Sequence, residues 1–176
     1  MSKIKVSAVS YTNTLPFLQG IKASPTILEQ IDLSVDVPAE CARKVIQNEA
    51  DLGIIPVAAL TKILDYHIVT DYCIGSDGAV DSVFIFSTKP IEQIRSLRLD
   101  PQSRTSNGLA RILLKHHWKL DVEVVMEGEA DAYVLIGDRT FGQKDTVPYV
   151  YDLGEIWKDF TGLPFAYAVW VSNKKL

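Results

Sequence analysis

The chain has 176 residues, 47% of them hydrophobic, and a formal net charge of −4. That apolar content supplies a core and excludes a disordered chain, while the acidic balance argues against bulk attraction to nucleic acid or an anionic membrane surface. No apolar run approaches the roughly 20 residues of a membrane helix, and the opening Met1-Ser2-Lys3-Ile4-Lys5-Val6 reads as a first strand rather than a signal peptide, so a cytoplasmic protein without a membrane partner is expected.

In chain order, residues 4–9 form a strand and residues 10–17 the loop and turn that follow. Residues 31–37 alternate apolar and polar side chains, as a strand with one wetter face does. Pro38 suits the first turn of a helix over 38–48, which puts Cys41, Val45 and Ile46 on one side; Asn48 suits a left-handed end. Glu49-Ala50-Asp51 opens the apolar run Leu52-Gly53-Ile54-Ile55-Pro56, and a helix follows over 57–64. Residues 75–78 read as a turn-rich loop, 81–87 as the strand crossing into a second lobe, 90–94 as a short helix and 97–100 as a strand ended by Pro101. The next helix begins near Thr105, with Leu109, Ile112, Leu113 and His116 or His117 inward. Glu129-Ala130-Asp131 opens a second apolar run, Ala132 to Ile136-Gly137-Asp138. A strand over 149–153, a helix over 154–160 and a returning strand over 165–171 complete the pattern. Cys41 and Cys73 both sit in apolar sequence and are expected as buried, reduced thiols.

The repeated Glu-Ala-Asp phrase implies two similar α/β lobes, residues 1–86 plus 165–176 and residues 87–164, with a ligand cleft between them. Each repeated run reads as a strand covered on both faces. The repeat also predicts a helix ahead of its second copy, as 38–48 precedes the first, yet residues 122–128 leave no room for one.

Loops at the carboxyl ends of parallel strands collect ligands in open α/β sheets. In Ser10-Tyr11-Thr12-Asn13-Thr14, Asn13 can hold a hydroxyl or a carboxylate, or bond its own backbone. In Ser103-Arg104-Thr105-Ser106, either Thr105 or Ser106 can cap the helix and leave N–H groups for a carboxylate or phosphate, with Arg104 adding charge; ordinary capping is the alternative. Ser82 lies at the predicted hinge, and Asp138 can accept a proton or cap a turn. Asn13, Ser82 and Asp138 are the catalytic candidates; Tyr11, Pro56, Arg104, Thr105 and Ser106 are the candidate substrate contacts. His116-His117-Trp118 lacks a third ligand at metal spacing, and Gly75-x-x-Gly78 is too short for a dinucleotide fingerprint, so neither metal nor cofactor is expected.

Several runs carry a family resemblance in order: Ser10-Tyr11-Thr12-Asn13-Thr14-Leu15-Pro16, Asp51-Leu52-Gly53-Ile54-Ile55-Pro56, Ser82-Val83 followed by Ser87, and Ser103-Arg104-Thr105-Ser106. Ala130-Asp131-Ala132 to Ile136-Gly137-Asp138, Tyr151-Asp152-Leu153-Gly154 to Trp157, and Thr161-Gly162-Leu163-Pro164-Phe165 extend it to Ala168-Val169-Trp170. Together they resemble chorismate dehydratase of the futalosine route to menaquinone. The Ile-Gly-Asp strand end and the Thr-Gly-Leu-Pro-Phe run separate it from the sister 1,4-dihydroxy-6-naphthoate synthase.

The resemblance implies a two-lobe fold like type 2 periplasmic binding proteins, used as a lyase that dehydrates chorismate to 3-[(1-carboxyvinyl)oxy]benzoate without metal or organic cofactor. Asn13 matches the family's active-site asparagine and Ser82 a family serine. Chorismate, a dianion with a hydroxyl, needs two anion sites and one neutral polar partner; the start of the helix at Thr105-Ser106 suits one carboxylate. With no histidine in these loops, the substrate's own enolpyruvyl carboxylate is expected to remove the ring proton while Asn13 holds geometry. Family members continue beyond the residue matching Trp170 into helices that pack on the first lobe. The rivals are a non-catalytic binding protein for a small carboxylate and the sister synthase.

Overall fold

A computed structural model describes residues 2–175 and divides into two units, Met1–Ile74 with Ala166–Leu176 and Gly75–Phe165. The expected strand start at Met1 and the lobe end at Leu176 lie outside the described residues. In the first unit, β1 (Ile4–Val9), β2 (Ile31–Asp36), β3 (Leu52–Pro56), β4 (His67–Ser76) and β10 (Phe165–Ser172) form one sheet in the order β2-β1-β3-β10-β4. β1 runs parallel to β2 and β3, and β10 antiparallel to β3. Its helices are α1 (Leu15–Lys22), α2 (Pro25–Gln30) and α3 (Pro38–Ile46). α3 starts at Pro38 and buries Cys41, Ala42 and Val45 completely. A side chain at Gly53 would put its Cβ 2.8 Å from Val45 Cγ2 and 3.2 Å from the Ser7 carbonyl oxygen, so glycine is what lets β3 lie this close to α3.

The second unit repeats the plan. β5 (Val83–Ser87), β6 (Ser96–Arg98), β7 (Glu123–Val125), β8 (Ala132–Ile136) and β9 (Tyr149–Asp152) form a sheet in the order β7-β6-β8-β5-β9. β6 is parallel to β7 and β8, and β5 antiparallel to β8 and β9. α4 (Arg104–Ile112) continues into a π-helical turn, Leu113–His117, and α5 (Leu153–Thr161) follows β9. Thus each sheet sets an antiparallel strand beside three parallel ones: β10, from the far end of the chain, in the first, and β5, from just ahead of β6, in the second.

Most expected elements are present, and the differences have local causes. α1 begins at Leu15, inside the predicted loop, because Pro16 occupies a first-turn position where it loses no hydrogen bond. The segment after β3 is a 3-10 helix, Val57–Lys62, and only Ile91–Gln93 is helical near Pro90. β4 runs through Gly75 and Ser76, where a turn was expected. The units part at residue 75 rather than 87, since β5 pairs inside the second sheet. Asn48 has φ +58° and closes α3 as expected, whereas Ile112 is 45% exposed and does not face the core. Cys41 is buried but Cys73, on β4, is exposed.

β3 is buried on both faces; β8 is not, with Tyr133 and Leu135 only half covered. The cause is the helix absent between β7 and β8, whose counterpart α3 covers β3. In its place the Arg98 guanidinium lies 5.3 Å from the Tyr133 ring centroid, and that ring stacks on Phe86 at 5.4 Å.

Candidate functional site

In the first unit the parallel strands β1, β2 and β3 end along one edge of the sheet, which brings the loop after Val9 beside Pro56. The Ser10 N–H donates to the Asp36 carbonyl at 2.9 Å, tying that loop to the end of β2. A 3-10 turn, Thr12–Thr14, follows, closed by the Thr14 N–H on the Tyr11 carbonyl at 3.0 Å. Tyr11 and Thr14 are buried beneath the turn, while Asn13 is exposed and its amide oxygen accepts the Thr14 hydroxyl at 3.2 Å. Asn13 is therefore exposed on the turn that follows β1.

In the second unit β6 and β8 end, and β5 begins, along one sheet edge. Val83 pairs with Ile136, and the Gly137 N–H donates to the Ser82 carbonyl at 2.8 Å, so Ser82 lies beside the Gly137-Asp138 turn. Asp138 is half-buried in a 3-10 turn, Gly137–Thr140, where Thr140 Oγ1 donates to the Gly137 carbonyl at 2.8 Å. Ser82 Oγ donates to the Val80 carbonyl at 3.3 Å.

Ser103, rather than Thr105 or Ser106, caps α4: its hydroxyl accepts the Ser106 N–H at 3.1 Å. Thr105 and Ser106 are buried, so their side chains face the core. The first turn keeps the positive end of the helix dipole and the Arg104 guanidinium, whose Nη1 is buried without a hydrogen-bond partner among the described residues. A buried, unmatched guanidinium N–H costs free energy that an incoming carboxylate would recover.

Residues that sequence reasoning missed hold this edge together. Asp100, 2% exposed, follows β6; its carboxylate accepts Arg139 Nη2 at 2.6 Å, the Ile136 N–H at 3.2 Å and the Gln102 N–H at 2.9 Å. Asn107 on α4 braces the Asp100 backbone, accepting its N–H at 3.0 Å and donating to its carbonyl at 2.8 Å. Asp152 caps α5 through Gly154 and Glu155 and accepts the N–H groups of Val80 and Asp81, the residues just before Ser82. Asp81 there has φ +57°, a conformation this anchoring maintains. The legible signal was Asp100-Pro101 at a strand end; nothing in the sequence paired it with Arg139.

Among the described residues, no group of three or more His, Cys, Asp or Glu side chains could hold a metal ion, and no helix is long and apolar enough to cross a membrane. His117 packs its ring against Phe160 and Trp118.

Residues 4–176 match the model of a family described as menaquinone biosynthesis. A chorismate dehydratase of Thermus thermophilus is 25% identical over 193 aligned positions, spanning 94% of this chain and 68% of the relative. A solved structure from Archaeoglobus fulgidus superposes with a TM-score of 0.72 at 18% identity, covering 99% of this chain and 69% of that one. A Candida albicans protein described as having the generic periplasmic binding protein fold gives 0.62 at 10% identity, covering 98% and 63%. The two α/β units are those of a periplasmic-binding-protein-like fold.

Proposed function

We propose a function from one premise: the chain belongs to the menaquinone biosynthesis family. On our reading it is a lyase that dehydrates chorismate to 3-[(1-carboxyvinyl)oxy]benzoate. The observation that carries the reading is the start of α4, where a helix dipole and the buried, unpartnered Arg104 Nη1 suit a carboxylate. The chorismate dehydratase relative supports the identity of that carboxylate's owner.

In this reading the α4 first turn and Arg104 hold one substrate carboxylate, with Thr105 and Ser106 supplying backbone rather than hydroxyl contacts. Asn13 orients the leaving hydroxyl, and Tyr11 and Pro56 line its side. The ring C–H bond breaks, its electrons complete the aromatic ring, and the hydroxyl leaves as water after taking the proton. The substrate's enolpyruvyl carboxylate carries that proton, so the protein's task is positioning. Ser82 fixes the ring from the edge it shares with Asp138, and Asp138 is the protein group closest in kind to a rival base. Aromatisation drives the reaction, which needs no cofactor.

Incubating the protein with chorismate and following absorbance and mass tests the reading. An aromatic product lighter by one water supports it. Saturable binding without turnover makes the protein a carboxylate-binding module, and turnover only of the sister enzyme's substrate makes it 1,4-dihydroxy-6-naphthoate synthase.

A further inference from the structure

On the outer side of α4, away from the edge just described, the π-helical turn and the edge strand β7 enclose a groove of about 580 Å³. Leu114, Leu120, Val122 and Val124 supply the apolar part of its lining. The rest of the lining is Arg111, Lys115 and Lys119 against one carboxylate, Asp121. None of these four side chains enters an ion pair or hydrogen bond among the described residues, although seven other lysines and arginines form ion pairs there. In a chain of net charge −4, this is a local excess of positive charge beside apolar side chains.

The backbone here is arranged at a cost. The helix widens into a π turn over Leu113–His117, a distortion frequent at functional sites. It ends with Lys119 at φ +57°, where glycine is usual, and the Leu120 N–H on the Leu114 carbonyl at 2.8 Å. A lysine held in that conformation, beside two more cations and a half-exposed valine, is poorly explained by helix capping alone.

We propose that this groove is a second ligand site, specific for an aromatic dicarboxylate. Three cations against one carboxylate leave an excess of two charges, which matches a dianion rather than a monoanion. The apolar side chains in the lining offer a surface for a ring, and the volume lies in the range of small-molecule sites. The site stands whether or not chorismate is turned over, because it shares no residue with the α4 N-terminus and its occupancy is read directly.

The probe is isophthalate, titrated into the isotope-labelled protein by amide NMR, with neutral dimethyl isophthalate and a short acidic peptide as parallel arms. Saturable shifts at Leu114, Lys119, Leu120 and Val124, unchanged in an Arg104→Gln variant and weakened about tenfold by Lys115→Gln, are the expected result. Lys119→Gly, which relieves the backbone and removes the charge, should raise the melting temperature while weakening binding; its folding keeps a loss of affinity interpretable. Equal binding of the neutral ester, preference for the acidic peptide, or no saturation at tens of millimolar isophthalate overturns the proposal.

Discussion

The carboxylate of Asp51 accepts the backbone N–H of Lys5 at 2.9 Å. The second Glu-Ala-Asp does the same: Asp131 accepts the N–H of Arg95, at the threshold of β6, at 2.7 Å. Each aspartate also pairs with a lysine at 2.6 Å, Lys174 for Asp51 and Lys89 for Asp131. The repeated phrase is therefore a strand clamp, used once in each sheet. In both, the lysine ahead of the backbone N–H holds the carboxyl below its ordinary pKa. A carboxyl with a lowered folded pKa stabilises the fold above its unfolded pKa, and that contribution is lost as pH falls through the folded value. Asp51→Asn should cost about 1–3 kcal/mol near pH 7. The gap to wild type should shrink below about pH 4 in urea melts at several pH values. A gap independent of pH would refute the clamp, and Asp131→Asn should behave in the same direction.

The two thiols should differ sharply in reactivity. Burial pushes the Cys41 pKa up to about 11, whereas Cys73 is exposed on β4. At pH 8 about one Cys41 in a thousand is thiolate. A thiol reagent should label one cysteine promptly in the native protein and the second only on unfolding. Two fast equivalents would contradict the packing of α3.

Gly53→Ala tests that packing from the other side. A Cβ would meet Val45 Cγ2 at 2.8 Å, and Val45 is fully buried, so the helix itself must shift. A loss of about 1–3 kcal/mol in unfolding free energy, read as a lower urea midpoint, is expected. An unchanged midpoint would mean that α3 sits further from β3.

The candidate site residues should separate by kinetic signature. Arg104→Gln removes a charged donor and should weaken chorismate binding roughly ten- to a hundredfold, with a smaller effect on kcat. Asn13→Ala should lower kcat by about a hundredfold with binding kept, because geometry rather than affinity is lost. Full turnover in Asn13→Ala would remove its orienting role. Abolished turnover with intact binding in Asp138→Asn would move the base to Asp138.

Strands, lobes and the repeat were legible because their signals are local: apolar runs between acidic turns, a proline at the start of α3, an asparagine at its end. The site was legible only in outline. Local signals put Asn13 and Asp138 in loops after strands and Ser82 at the expected hinge, but the cap of α4 fell to Ser103, since three neighbouring hydroxyl residues compete for one position and only the backbone decides. Asp100 and Asp152 went unread because their partners, Arg139 and the Val80-Asp81 amides, are distant in sequence. The exposure of Cys73 was hidden for a similar reason: β4 stands at the edge of its sheet, and edge position is a property of topology, not of the residues around a cysteine.

The most direct measurement is a chorismate time course followed by absorbance and mass spectrometry. It should show one aromatic product and one water lost per chorismate consumed, in a metal-chelated buffer without added cofactor. Chorismate that remains unchanged in the presence of well-folded protein would contradict the assignment.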